Sequence, residues 1–451
     1  MSFPTSPPSG RPPGPWRFPR SHAFTLSNGL PMLVLPWHRL PVVQLQLVHR
    51  AGRWVERPEE RGVGRLMALT ARHGTQRFDS AALANFQDAR GIGLSSSISP
   101  DERGVGVKAL SEHLDEAFDV LAEVALHPSF PQDHLDRQIQ QSVESRRHQK
   151  GDPDALAGEW FTSAIYGRDH VYGRARPEEE DLRARTRDEV LAFHARHYGP
   201  DQALLLVLGD VDPQRVADLA ERRLGAWRSA QALPGLPEAP EDRPARVILV
   251  DRPASEQATI LVGNLAIERR DPLYDTSRVM NRVLGGGASS RLFLDLREQR
   301  SLTYGVSSSV DGGLFGGDFS AGLACSGDKV AEALRGLFEH LQRVRDEELS
   351  EAELDASRRY LIGAFPQGTS SLGGLGSLLS SRWINRLPED VWETFMARIA
   401  AVDGGAAMAA ARACVRPSAS TLVVVGRGDE LEPVLAAYGV VERVAAGSLP
   451  A

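Results

Sequence analysis

Arg297 and Tyr304 stand seven positions apart in LGGGASSRLFLDLREQRSLTYGVSSS, the run from Leu284 to Ser309. A guanidinium is a fixed cation with forked donors and a phenol is a neutral donor, so the pair could act on one group as a fixed cation and a phenol donor. For that the two must meet. Gly285, Gly286 and Gly287 break any helix before Ala288-Ser289-Ser290, because glycine loses most backbone freedom on folding. The spacing then predicts a helix from the serines to Arg300, with Leu292, Phe293 and Leu296 on one face and Arg297 one turn beyond Phe293. Ser301 ends that pattern, and Val306 to Val310 alternates as a strand does. An arginine near the helix end and a tyrosine at the head of the strand are thereby expected side by side.

Other chemistry-bearing residues point to less. His194 and His197 sit at i, i+3 in FHARHYGP and could share a helix face, but a structural role is expected of them. Cys325 and Cys414 are the only cysteines, far apart in the chain; they predict core fillers in a reducing compartment and no thiolate metal site. The triple glycine is followed by no Gly-Lys-Ser/Thr and is not a phosphate loop, and Ser289 and Ser290 lack the strand-turn context of a nucleophile elbow. Arg427 to Asp429 spell RGD directly after an apolar strand, which reads as coincidence.

Composition narrows the classes further. The 451 residues are 42% hydrophobic and 25% charged, ordinary globular proportions for a chain of several domains. A net charge of -7 offers no basic face for nucleic acid, and no apolar run is long enough to predict a membrane span. The opening MSFPTSPPSGRPPGPWRFPRSH is rich in Pro and Ser without an apolar core, so the expectation is a cytoplasmic protein with a flexible tail over residues 1–21.

The elements that must position Arg297 and Tyr304 belong to an internal duplication. GLPMLVLP from Gly29 corresponds to RVILVD from Arg246, and LLLVLG ending at Gly209 to TLVVVG ending at Gly426, both at an offset of 217 positions. Gly104 to Leu110 precedes a helix with Leu114, Phe118, Leu121 and Val124 inward; Asp318 to Ala324 precedes one with Val330, Leu334, Leu337 and Leu341 inward. So long a period means duplicated domains. The reading is an α+β chain of two duplicated α/β sandwich halves, 22–227 and 246–451, each a mixed, mostly antiparallel sheet with helices packed on one face. A Pro-rich linker, 228–245, joins them. Leu94 to Ser99 is a candidate edge strand, and Pro366 to Ser381, with its glycines and serines, predicts a mobile loop or a weak helix start.

The Leu284–Ser309 run resembles the LGGG-x-SSRLF…LRE-x-RGLAYSV segment of the pitrilysin/insulinase (inverzincin) family of zinc peptidases. That resemblance implies a processing-peptidase-like fold, with Arg297 and Tyr304 contacting the scissile peptide. It also implies a zinc helix H-x-x-E-H in the first half, with a glutamate about 75 residues later as third ligand. The surrounding frame is present, in Ala51-Gly52-Arg53, Glu56, Glu59, Glu60, Gly62-Val63-Gly64 and Gly74-Thr75. Within it the motif reads Arg65-Leu66-Met67-Ala68-Leu69. The histidines have become Arg65 and Leu69, the base is Ala68, and the later ligand falls on Glu144 or Ser145. A fixed cation repels zinc, and neither Ala nor Leu has a lone pair to give.

Some members of the family are heterodimers in which one subunit carries the zinc helix and the other lacks it but keeps the Arg/Tyr pair. The resemblance therefore implies a noncatalytic subunit, without a cofactor of its own, whose partner bears H-x-x-E-H and the zinc. The substrate would be an extended peptide, and a homodimer in isolation is compatible with the pattern. The competing reading is a pseudo-peptidase, a scaffold or peptide-binding module with no part in hydrolysis. The short LGGGASS, where mitochondrial processing complexes have a much longer glycine-rich loop, argues against presequence recognition of that kind.

Overall fold

The two all-apolar strands that anchor the duplication, LLLVLG and TLVVVG, each run through the middle of a six-stranded sheet. The computed structural model describes residues 16–228 and 233–448. The first sheet comprises β1 (His22–Thr25), β2 (Pro31–Pro36), β3 (Val42–His49), β4 (Gly93–Ile98), β5 (Arg103–Leu110) and β6 (Ala203–Gly209), in the order β1-β2-β6-β3-β5-β4. The second comprises β7 (Val247–Asp251), β8 (Gln257–Ala266), β9 (Val306–Gly312), β10 (Gly317–Ser326), β11 (Thr421–Gly426) and β12 (Val441–Ala445), in the order β12-β7-β11-β8-β10-β9. Five strands correspond one to one, and the pairing sense agrees: β2 with β6 and β7 with β11 are parallel, and the remaining inner pairs are antiparallel. Only the outer strand differs, antiparallel β1 in one half and parallel β12 in the other.

Helices of the first half are α1 (Val63–Thr70), α2 (Ser80–Asp88), α3 (Leu114–Leu126), α4 (Gln132–Gly151), α5 (Pro153–Tyr166), α6 (Glu179–Arg183), α7 (Arg187–His197) and α8 (Pro213–Leu224). Those of the second are α9 (Tyr274–Leu284), α10 (Val330–Asp346), α11 (Glu351–Gly368), α12 (Leu372–Ile384), α13 (Phe395–Ala400), α14 (Gly404–Cys414) and α15 (Gly428–Leu435). The residues expected inward on α3 and α10 are all buried, so the helical period was a sound guide there.

The alternation of β6 shows how each sheet is covered. Leu205 and Val207 face the core of their own half, with α3, whereas Leu204, Leu206 and Leu208 face Leu372, Leu375 and Leu379 of α12, a helix of the other half. The exchange is mutual. Leu156, Trp160, Phe161 and Ile165 of α5 pack on Ile248 and Val250 of β7 and Val423 and Val425 of β11. Each sheet thus carries its own helices on one face and a helix from the other half on the second.

One expectation changes. Most of Pro366–Ser381 is helical, with only the short turn after Gly368 interrupting α11 and α12. Ser371 caps α12 by accepting from the Gly374 amide at 3.1 Å, and Gly376 lies where a Cβ would come within 2.5 Å of Gln46 Oε1. Gly376 thus serves close approach to the first sheet and Gly374 to the Gly368 carbonyl in the turn, and burial outweighs propensity. Of the Pro-rich tail, 1–15 lie outside the described residues; within 16–21 Phe18 is buried and Trp16 meets the Phe365 ring edge-on at 5.0 Å, while Arg17 and Arg20 are exposed. Of the linker, 229–232 lie outside the described residues; 233–245 carry neither helix nor strand, and Asp242 accepts two hydrogen bonds from Arg416 at 2.7 and 2.8 Å. Among the described residues no helix is long and apolar enough to cross a membrane.

Candidate functional site

Arg297 and Tyr304 are presented by a loop, a short helix and a turn, each pinned separately. Gly285 passes so close to β9 that a Cβ would sit 2.4 Å from Ser308 Oγ, and its carbonyl accepts from the Ser308 amide at 3.2 Å. Asn281 of α9 reinforces this by donating to the Ser308 carbonyl at 2.9 Å. After the glycines the chain is helical, but not as expected: Phe293–Gln299 is π-helical, and the Arg300 amide donates to the Asp295 carbonyl five residues back at 2.9 Å. Such wide turns recur at functional sites. Leu292 and Leu296 are fully buried beneath it, and Asp295 is held by Arg300 at 2.9 Å and by His340 of α10 at 2.8 Å.

The turn carrying Tyr304 is fixed on both sides. Ser301 adopts φ +50°, a left-handed conformation, with its carbonyl accepting from Lys329 Nζ at 2.8 Å. Thr303 Oγ1 donates to the Ala324 carbonyl at 2.6 Å and accepts from the Gly305 amide at 3.1 Å. Against that rigid backbone Tyr304 itself is 89% exposed, and its hydroxyl has no partner among the described residues. Arg297 stacks its guanidinium on Phe293, 4.5 Å from the ring centroid, and approaches Glu298 at 3.6 Å. The two share no hydrogen bond, and both side chains face outward.

The position of the zinc motif is α1, packed between α4, α7 and β4. Arg65 points to solvent, Ala68 is buried and Leu69 half-buried. On α4, Glu144 is exposed and paired with Arg147 at 2.7 Å, and Ser145 is half-buried. Glu56 is the only acid of the frame turned onto α1; it accepts from the Gly64 amide at 2.8 Å, and burial pushes its carboxyl up to about 7. These residues do not fit zinc. Among the described residues no three His, Cys, Asp or Glu side chains are grouped to hold a metal. His194 is committed to the Ala125 carbonyl at 3.0 Å, and His197 lies buried against the Phe193 ring at 4.7 Å, with burial lowering both imidazoles, to about 3 and about 4. Both cysteines are buried and free, their thiols pushed up by burial to about 11 and about 12.

What sequence reasoning missed surrounds α1. Arg146 of α4 is 4% exposed and clamps two carboxylates, Glu159 of α5 at 2.7 and 3.1 Å and Glu178 at 2.9 Å. Deeper still, Arg103 at the start of β5 is fully buried with no hydrogen-bond partner for its guanidinium, lying 4.2 Å over the Tyr198 ring. Neither residue has a periodicity that would betray it.

Two family descriptions match in tandem: "Insulinase (Peptidase family M16)" over 38–174 and "Peptidase M16 inactive domain" over 185–361. The chain belongs to the M16 peptidase family. Among curated M16 relatives, an uncharacterized zinc protease of Mycobacterium leprae is 27% identical over 308 residues, covering 68% of this chain and 67% of that protein. The zinc protease YmxG of Bacillus subtilis is 26% identical over 350 residues, covering 76% and 82%. A solved M16 inactive domain from Pseudomonas fluorescens superposes with TM-score 0.85 at 25% identity, over 90% of this chain and 98% of that one. A protease from Helicobacter pylori shares the fold with TM-score 0.82 at 19% identity, over 90% and 99%. Relatives are thus called zinc proteases, whereas the α1 position of this M16 chain has no residues to hold the ion.

Proposed function

We propose that this chain is the noncatalytic subunit of a two-chain M16 peptidase, lending Arg297 and Tyr304 to a peptide whose hydrolytic metal and general base lie on a partner bearing H-x-x-E-H. The observation that carries this reading is Tyr304: an aromatic side chain left 89% exposed, its hydroxyl unpartnered, on a turn whose backbone is fastened on both sides. A solitary exposed tyrosine is unremarkable; one on a hydrogen-bonded turn seven positions after Arg297, in the register of the family's substrate-contacting pair, is suited to receive a ligand. Tyr304 would donate to the oxygen that gains charge on the scissile carbonyl, and Arg297 would hold a neighbouring backbone carbonyl. Donors fixed in advance need no reorganisation as charge develops.

The test is Tyr304→Phe in the mixed complex, reconstituted with a co-purifying H-x-x-E-H protein. A fall in kcat/KM of about 100- to 1000-fold with assembly intact is expected; unchanged turnover refutes the assignment. The second reading, a peptide-binding scaffold with no part in hydrolysis, is favoured by one observation, that Arg297 and Tyr304 share no hydrogen bond in the single chain. It requires the variant to leave activity untouched, so the same measurement decides between them.

A further inference from the structure

The helix that lacks zinc ligands borders a cavity of about 250 Å³ between α1 and α4, lined by Arg53, Arg65, Ser142, Arg146 and Arg176 among others and by no carboxylate. Arg146 is saturated by Glu159 and Glu178. The guanidiniums of Arg53, Arg65 and Arg176 have no hydrogen bond or ion pair among the described residues, although Glu56 and Asp101 act on Arg53 from one side. A second observation points to a ligand. Ser142 of α4 is 5% exposed, lines this cavity, and its Oγ has no hydrogen-bond partner among the described residues, which a buried hydroxyl rarely tolerates. Burial, with Arg65 and Arg176 nearby, holds the Arg53 cation below its ordinary range, so an anion placed among the three would relieve both repulsion and desolvation.

We propose that this cleft binds a carboxylate of a peptide, gripped by Arg65 and Arg176 at its mouth, with Arg53 and the Ser142 hydroxyl at its base. The forked donors of arginine match a planar carboxylate. The cleft shares Arg53, Arg176 and Pro177 with a neighbouring cavity of about 670 Å³ whose lining adds four arginines and the acids Glu56, Glu159 and Asp169, a mixed wall with room for the uncharged residues preceding the carboxylate. Where a catalytic helix would hold a cation, this chain presents an anion receptor. That the carboxylate belongs to a peptide rests on the function proposed above; the arginine chemistry does not.

The experiment is calorimetric titration of the chain alone, at low salt, with N-acetyl-tetraalanine as the free acid and as its amide, and with N-acetyl-Ala-Ala-Asp-Ala-amide and its Asn counterpart. The first pair reads a terminal carboxylate and the second a side-chain carboxylate. At least one acid is expected to bind about tenfold or more tightly than its neutral twin, and Arg65→Ala and Arg176→Ala, at exposed positions, each to weaken that acid about tenfold without shifting Tm. Ser142→Ala should weaken it by about two- to fivefold. Equal affinity for acid and amide, no saturable binding of either acid, or acid affinity unchanged in both arginine variants would overturn the proposal, as would inorganic phosphate binding at the same site while the peptides do not. None of these readouts involves Tyr304 or turnover. Loss of the carboxylate preference with Tyr304→Phe still impairing the mixed complex would sink this inference alone, and the opposite result would sink only the proposed role in hydrolysis.

Discussion

The two halves share a strand order and differ in what they place at corresponding heights on it. In the first, the helix at the position of the family's zinc motif is a packing element, with Ala68 buried, and Arg65 on it lines one cavity with Arg53 and Arg176, none of the three guanidiniums paired among the described residues. In the second, the loop ahead of β9 keeps a cation and a phenol on a fastened backbone. Five strands of each sheet keep the same order, and what differs lies on the helix and the loop around them. Charge distribution differs as well: the first half buries arginine deeply, at Arg103 and Arg146, whereas Arg291, the second half's bidentate partner of Glu353 at 2.7 and 2.9 Å, keeps 13% of its side chain exposed.

That contrast can be broken by substitution. The largest effect is expected from Arg146→Ala, which leaves Glu159 buried without its cation and should lower stability by about 3–5 kcal/mol in denaturant unfolding. Arg291→Ala should cost distinctly less, about 1–2 kcal/mol, since water reaches its partner; equal losses would show that burial depth is not what separates the halves. Next is Asp318 on β10, which accepts from Tyr166 of α5 at 2.9 Å and whose carboxyl burial pushes up to about 7. A carboxyl raised in the folded state favours the protonated form, so stability is full below about pH 4 and is lost as pH rises to about 7, at roughly 1.4 kcal/mol per pH unit. Asp318→Asn should flatten that slope by on the order of 3–4 kcal/mol across the window, and an unaltered slope would place the titration elsewhere. The last expected change has the opposite sign. Arg103→Met removes a buried cation whose donors are unpartnered and should raise stability by about 1–3 kcal/mol; destabilisation would mean the guanidinium has a ligand.

Much of the fold was legible because burial leaves a linear trace. Leu204–Gly209 and Thr421–Gly426 are buried at every position, so both read as uninterrupted apolar runs at a constant offset. The α3 and α10 stripes were legible for the same reason. α12 was not, since Gly373, Gly374 and Gly376 mask Leu372, Leu375 and Leu379, whose spacing in hindsight is that of one helix face. Nothing in a periodicity states which sheet a stripe will cover, so the exchange of α5 and α12 had no signal. At the candidate site, the residue types of Arg297 and Tyr304 and the loop glycines were readable, but the π-helical turn was not, because it depends on Asp295 being held by Arg300 and His340. Arg65 was readable only as a missing ligand; its kinship with Arg53 and Arg176 needed three dimensions.

Because α5 roofs the second sheet and α12 roofs the first, a cut through the connecting segment would give two fragments each lacking a lid and each carrying a spare one. Produced separately they should be insoluble, and produced together they should reassemble as an interlocked pair. The same interlock opposes any gaping of the halves like jaws.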